Sequence, residues 1–234
     1  MILEERPWDS HFFGFRIASG FQTGDDDAES LRSFCRAADA DCLYLFLDHP
    51  LTDGFETVLR EEGAFCTDWK TVFTKNELQY RPADESSIHV PDRIQEDCYR
   101  LAVKSGWRSR FYVDEKFRSR QDALYRKWVD TCCPPAENAK VWEYRSEAGE
   151  LHGMMCAQCQ GQIGKLGLIS VAPECQGKGI APLFMQIAEN FYLDHGCTVS
   201  EAVTQFDNSR ACGFYRKCGY HISEIKEVWH LWKK

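Results

Sequence analysis

No run of apolar residues in this 234-residue chain approaches the ~20 needed to cross a bilayer as a helix, so no segment reads as a membrane span and no membrane partner is expected. The opening MILEERPWDS is charged within its first turn and lacks the apolar core of a secretion signal, which predicts a cytoplasmic protein. Positive charge is in short supply. The 28 Lys and Arg against 36 Asp and Glu leave a net charge of −8, which argues against a non-specific nucleic-acid binder. Internal repeats and low-complexity tracts are missing. So is a second C-x-x-C to accompany Cys156-Ala157-Gln158-Cys159, whose strand-like segment offers only His152 as a neighbouring ligand. A structural zinc site needs four ligands, so no metal is expected. Twelve cysteines in a chain that is neither short nor secreted read instead as reduced small hydrophobes, and Cys42, Cys66, Cys156, Cys197 and Cys212 all stand inside apolar runs.

What the chain does contain, 44% hydrophobic and 13% aromatic residues, is enough to bury a sizeable core in one large domain or two small ones. The first third reads as a small α/β unit. A strand is predicted over Phe12–Ile17 after a turn at Trp8-Asp9-Ser10, then a helix over Ala28–Ala38, a buried strand over Cys42–Leu47, a helix over Asp53–Glu62 closed by Gly63, and a strand over Ala64–Lys75 with Phe65, Val72 and Phe73 inward. The polar stretch 76–87 with Pro82 marks a boundary, giving domains at 1–80 and 81–234. The second part reads as a short strand at Ile88–Val90 and helices near Asp92–Ala102 and Ser119–Asp130, flanking the Trp107–Phe117 segment. Strands follow at Val141–Tyr144, Leu151–Gln158 and Leu166–Val171, then a helix from Ile180 that stops at Gly196. Cys197–Val203 is a strand, Asn208–Cys218 a helix, and Tyr220–Trp232 the last strand or strands.

The most informative stretch is Leu166–Ala181, LGLISVAPECQGKGIA. An apolar strand is broken by Pro173, and Gln176-Gly177-Lys178-Gly179-Ile180-Ala181 then opens an amphipathic helix. Glycines at such a turn let the backbone approach a ligand and leave N–H groups free for phosphate oxygens; the first turn of the helix adds unpaired N–H groups and the positive end of its dipole. The pattern is neither G-x-x-x-x-G-K-[ST] nor G-x-G-x-x-G, which excludes a nucleotide P-loop and a Rossmann fingerprint. It is Q-x-x-G-x-A after a strand ending in V-x-P, and it resembles the acyl-CoA-binding motif of the GNAT superfamily of N-acetyltransferases. NSRACGFYRKCGY, from Asn208, is similar to the second half of that family's pattern.

The resemblance implies an α/β (α+β) GNAT fold, a central mixed sheet flanked by helices and preceded by the small α/β unit, itself readable as a degenerate copy. It implies acetyl-CoA as co-substrate and an amine as acceptor. Ile169, Val171, Gln176, Gly177, Lys178, Gly179, Ile180, Ala181 and Asn208 would hold the cofactor, with the strand parting from its neighbour near Val171 to free amide groups. Tyr215, seven residues after Asn208, would protonate the leaving thiolate, a reasonable match for a phenol. Asn208 is also a good N-cap, and Tyr215 also falls at core spacing with Ala211, Phe214 and Cys218. Several relatives carry a general-base Glu five residues before the Asn. Here that place is Val203, with Glu201 the nearest substitute on the same strand face and His152 and His221 further candidates.

Two shorter motifs narrow the resemblance. Trp8-Asp9-Ser10-x-x-Phe13-Gly14 and Ser109-Arg110-Phe111-x-x-Asp114 are similar to those of dTDP-fucosamine acetyltransferases, which act on a nucleotide-linked 4-amino sugar. Lys104–Lys127 holds eight basic residues against Asp114, Glu115 and Asp122. Arg108 and Arg110 in that run would grip a diphosphate, while Trp107, Phe111 or Tyr112 would stack on a base. Open alternatives are another small amine, a protein or peptide amine, or a non-catalytic acyl-CoA sensor; a homodimer is also open.

Overall fold

The computed structural model describes residues 1–233. In chain order the elements are β1 (Ile2–Glu5), α1 (Pro7–Phe13), β2 (Ile17–Phe21), α2 (Ala28–Ala37), β3 (Cys42–Asp48), α3 (Phe55–Glu61), β4 (Phe65–Lys75) and β5 (Ile88–His89). Next come α4 (Glu96–Ser105), α5 (Arg110–Val113), α6 (Glu115–Arg118), α7 (Gln121–Asp130), β6 (Ala139–Arg145), β7 (Leu151–Gln160) and β8 (Ile163–Val171). The chain closes with α8 (Ile180–Asp194), β9 (Val199–Gln205), α9 (Ser209–Lys217) and β10 (His221–Trp232).

All ten strands form one mixed sheet, in the order β1-β2-β3-β10-β4-β9-β8-β7-β6-β5. Among the described residues only β2–β3 and β8–β9 are parallel pairs. The sheet runs unbroken across residues 80/81, because β4 lies between β10 and β9 and pairs with both. Helices cover both faces. On β7, Met155 and Ala157 pack with α8 and α9, while Met154 and Cys156 pack with α4 and α7. A strand covered on both sides reads as a continuous apolar run, which is why HGMMCAQC shows no alternation. The cysteines are free thiols, nine of them buried.

The first segment departs from the sequence reading. Phe12–Ile17 is not a strand: Pro7–Phe13 forms α1, with Pro7 in the first turn where its missing N–H costs nothing. Trp8 and Phe12, one turn apart, stack at 5.0 Å between centroids. Gly14 ends the helix at φ 79, and the Ser10 hydroxyl accepts a bond from the Ile17 N–H at 2.9 Å. The aromatic run that suggested a strand is thus a helical face followed by a turn. On β4, Phe73 is buried as predicted, but Val72 is half-buried and Phe65 exposed. Phe65 lies beyond a bulge that leaves Thr67 without a partner on β10.

A buried polar clamp fixes α5 and α6 to the sheet. The Asp114 carboxylate accepts bonds from His230 Nδ1 at 2.7 Å, Trp232 Nε1 at 2.9 Å and the Lys116 N–H at 3.0 Å. Burial works to raise Asp114, but these hydrogen bonds hold it below the usual carboxylate range. Burial pushes His230 down to about 4, so its imidazole is neutral in the fold. Between pH 6.5 and 4 the unfolded chain therefore binds a proton that the folded chain does not, and stability falls as pH drops through that window. Denaturant unfolding at pH 7.5 and 4.5 should show the native protein losing roughly 2–3 kcal/mol more than the His230→Gln variant over that interval. Parallel losses in the two proteins would contradict a neutral buried His230.

Candidate functional site

The site begins where two parallel strands stop pairing. β8 and β9 are in register from Ile163–Val199 to Leu166–Ala202 and no further, although β8 runs on to Val171 and β9 to Gln205. The cause is local. Gly167 is an extra residue in β8, bulged against Cys156 and Ala157 of β7, and a bulge bends the strand that carries it. Beyond it, β8 follows β7 while β9 follows β4 as far as Lys70–Gln205. The gap between them opens into a cleft of about 1590 Å³. Backbone groups of β8 that face β9 past Leu166 have no strand partner, and buried groups of that kind require one from a ligand or water.

The mouth is formed by the glycine loop. A 3₁₀ turn at Pro173–Cys175 follows β8, and the Gln176 side chain donates to the Val171 carbonyl at 3.0 Å, tying loop to strand. Gly177 and Gly179 both have φ near +80 (79 and 87), open to glycine at little cost and strained for other residues. Gly179 is the N-cap of α8 and no side chain caps that terminus, so the first N–H groups are left to a ligand. α8 approaches the sheet closely here: a Cβ at Gly153 would lie 2.9 Å from Phe184 and 3.0 Å from Ile180.

Of the residues predicted to hold the cofactor, Ile169, Val171, Gln176, Gly177, Gly179, Ile180, Ala181 and Asn208 line the cleft. Lys178 stands exposed outside the lining. Asn208 caps α9: its Oδ1 accepts from the Ala211 N–H at 3.2 Å and its Nδ2 donates to Thr204 Oγ1 at 3.4 Å. Tyr215 lines the cleft while only 5% exposed, its ring packed against Phe73, Phe214 and Tyr220. Burial raises its phenol above the ordinary value, which keeps it protonated at neutral pH.

The opposite wall comes from β4, β9 and the α4–α5 turn. Glu201 and Val203 line it, as do Trp107, Arg108, Arg110 and Phe111. The basic run does not assemble into one patch. Arg108 is paired with Asp207 at 2.8 Å, Arg126 with Glu96, and Arg118 donates to the Tyr112 carbonyl at 2.7 Å. Phe111 is buried, stacked on Phe13 at 5.5 Å; Tyr112, His152 and His221 lie outside the lining.

Asp68 is the residue that sequence reasoning missed. It lines the cleft from β4, and its Oδ1 is buried with no hydrogen-bond partner among the described residues. Burial raises the carboxyl to about 7, against the lowering effects of Arg110 and Gln205 beside it. No sequence motif marks it. Only the insertion of β4 beside β9 brings it here.

A model of the acetyltransferase (GNAT) family matches residues 104–220, half of the chain and nearly all of the cleft. Solved structures share the fold at low identity. A functionally unknown conserved protein from Staphylococcus epidermidis is 10% identical, with a TM-score of 0.63 over 94% of this chain and 85% of that one. A GCN5-related N-acetyltransferase from Sphaerobacter thermophilus is 15% identical, with a TM-score of 0.53 over 81% of this chain; the match spans 59% of that protein's length. A tandem GNAT protein from the clavulanic acid biosynthesis pathway is 16% identical, with a TM-score of 0.52 over 87% and 67%.

A Cβ at Gly179 would meet nothing within 4 Å, so Gly179→Ala acts through backbone strain of about 1–2 kcal/mol rather than through a clash. Calorimetric titration should show acetyl-CoA binding weakened roughly 5- to 30-fold in this variant, since ~1.4 kcal/mol is tenfold. Unchanged binding would contradict a phosphate role for the loop.

Proposed function

The chain belongs to the acetyltransferase (GNAT) family, and from that premise we propose that it moves an acetyl group directly from acetyl-CoA to the amino group of a small molecule, with Tyr215 as acid and Asp68 as base. The observation that carries this reading is the cleft itself: parted strands with a glycine-rich helix terminus at the mouth and the Tyr215 phenol and Asp68 carboxyl on its walls.

Acetyl-CoA, when bound, supplies the activated thioester. The N–H groups of Gly177–Ala181 take its pyrophosphate, with the Lys178 charge nearby. The unpaired backbone of Ile169 and Val171 receives the pantetheine arm and polarises the carbonyl. The Asp68 carboxylate takes a proton from the acceptor ammonium, and the freed nitrogen lone pair forms the C–N bond. The C–S bond breaks with its electron pair on sulfur, which takes the Tyr215 proton. The nitrogen gives up its second proton to water, a proton from water restores the phenol, and each turnover releases one proton through Asp68. Asp68 takes this role in preference to Glu201 because its buried oxygen is unpartnered and its pKa lies near working pH.

The finer reading is a dTDP-linked 4-amino-deoxy sugar as acceptor, in a cytoplasmic enzyme. What supports it, beside the resemblance, is that its two motifs meet: Phe13 of the first stacks on Phe111 of the second, and Asp9 lies close enough to Arg110 for the charges to interact. Residues 1–80 and 81–234 are proposed as two α/β units sharing one sheet.

Tyr215→Phe should lower kcat by ~10²–10⁴-fold with acetyl-CoA affinity retained; full activity would remove Tyr215 as the acid. Asp68→Asn separates catalysis from folding. Because Asp68 titrates near 7 in the fold and near 3.8 unfolded, the folded chain holds the extra proton in between, and stability is lost as pH rises through that window. The variant should lose the rise of kcat/KM around pH 7 and yet unfold at higher denaturant than the native protein at pH 8, a gain on the order of 2 kcal/mol. A variant less stable at pH 8 would contradict a buried, strained carboxylate.

A further inference from the structure

A second cavity of about 470 Å³ adjoins the cleft on the N-terminal side and shares Phe46, Lys70 and Arg110 with it. Lys70 and Arg110 thus form the partition between the two. Both cations lie over one aromatic ring, Lys70 Nζ 5.8 Å and Arg110 Cζ 5.4 Å from the Phe46 centroid. Arg110 also sits over Tyr44 at 4.3 Å and Phe111 at 4.6 Å, which fixes the plane of its guanidinium. Its Nη1 is buried and unpartnered, and so is the Ser109 Oγ beside it in the cleft wall. Among the described residues neither cation has a carboxylate within 4.0 Å, whereas Arg108, Arg126 and Arg145 are each paired. The carboxylates that face the pair are Asp9, Asp68, Glu201 and Glu224. Two adjacent, half-buried cations repel each other, and burial with the neighbouring Arg110 pulls the Lys70 ammonium below its usual range. A bound anion relieves that repulsion and satisfies the orphan donors.

Resting on the transferase reading, we propose that Lys70 and Arg110 are an anion-binding wall for the acceptor: the substrate is an amine carrying a phosphate or carboxylate, with the far end of the molecule in the side cavity against Trp8 and Phe46. Trp8 suits this role. One face of its ring is stacked on Phe12, yet the residue is 45% exposed and lines that cavity. The wall uses Arg110 of the basic run and a lysine from outside it, and it leaves Arg108 to Asp207.

Binding of inorganic pyrophosphate, succinate and thymidine diphosphate to the protein saturated with CoA, measured by calorimetry, tests the wall while the glycine loop is filled. Pyrophosphate binding without succinate assigns a phosphate, and the reverse assigns a carboxylate. In either case Lys70→Met and Arg110→Met should weaken binding roughly 10- to 100-fold, with Lys70→Arg retaining most of it. Trp8→Ala should weaken thymidine diphosphate alone. Failure of all three ligands to bind the native protein, or unchanged binding in both methionine variants that melt normally, would overturn the wall; equal losses of pyrophosphate and thymidine diphosphate in Trp8→Ala would overturn the side-cavity placement. Amine-dependent thiol release from acetyl-CoA, measured on the CoA-free protein and the same variants, reports on the transferase reading separately.

Discussion

The parting of β8 from β9 after Leu166–Ala202 is the constraint on which the rest of the site depends. A parallel pair buried in the middle of a sheet normally satisfies its backbone along its whole length. Here one bulged residue, Gly167, turns β8 away and leaves a slot with backbone groups on its wall. The glycine loop, the uncapped start of α8 and Tyr215 are all placed by reference to that slot: loop and helix continue from the strand that bends, and α9 follows the strand that does not.

The second dependency is β4. By running between β9 and β10 it gives β9 a neighbour to follow when β8 leaves, and it carries Asp68 and Lys70 into the cleft. The N-terminal third is therefore part of the cleft wall and not an appendage. Its aromatic cluster, Phe13 and Tyr44 with Phe111 and Phe117, holds the α5–α6 segment from one side, while the Asp114–His230 clamp holds it from the other. Arg110 is presented between these two supports. The fold also bears a cost at its site: a buried Asp68 and two unpaired cations destabilise the empty protein, as expected where binding groups are preorganised.

Most of the architecture was legible in the sequence because its signals were long and periodic. α8 announced itself by Ile180, Leu183, Phe184, Ile187 and Phe191, and β3 by a continuous apolar run. The loop was legible because glycine at positive φ leaves a mark in sequence. Two things were not. α1 was hidden because His11, Phe12 and Phe13 are consecutive aromatic rings, and a seven-residue helix has too few turns to show its period. The Asp68 carboxyl was hidden because it gains its character from a strand insertion that pairs Lys70 with Gln205, 135 positions away. Local spacing pointed instead to Glu201, which lines the cleft but has no buried unpartnered oxygen. The basic run was legible as charge but not as pairing, since Arg108 pairs with Asp207, 99 positions away, and Arg126 with Glu96, 30 positions away.

Amine-dependent release of CoA thiol from acetyl-CoA by the native protein tests most directly whether the cleft carries out transfer. Matched primary amines with and without a phosphate or carboxylate should be compared from pH 5.5 to 8.5. Release is expected only when an amine is present, with preference for the anionic member of each pair and a rate limb near pH 7. Tight acetyl-CoA binding with no thiol release on any amine at any pH would contradict transfer.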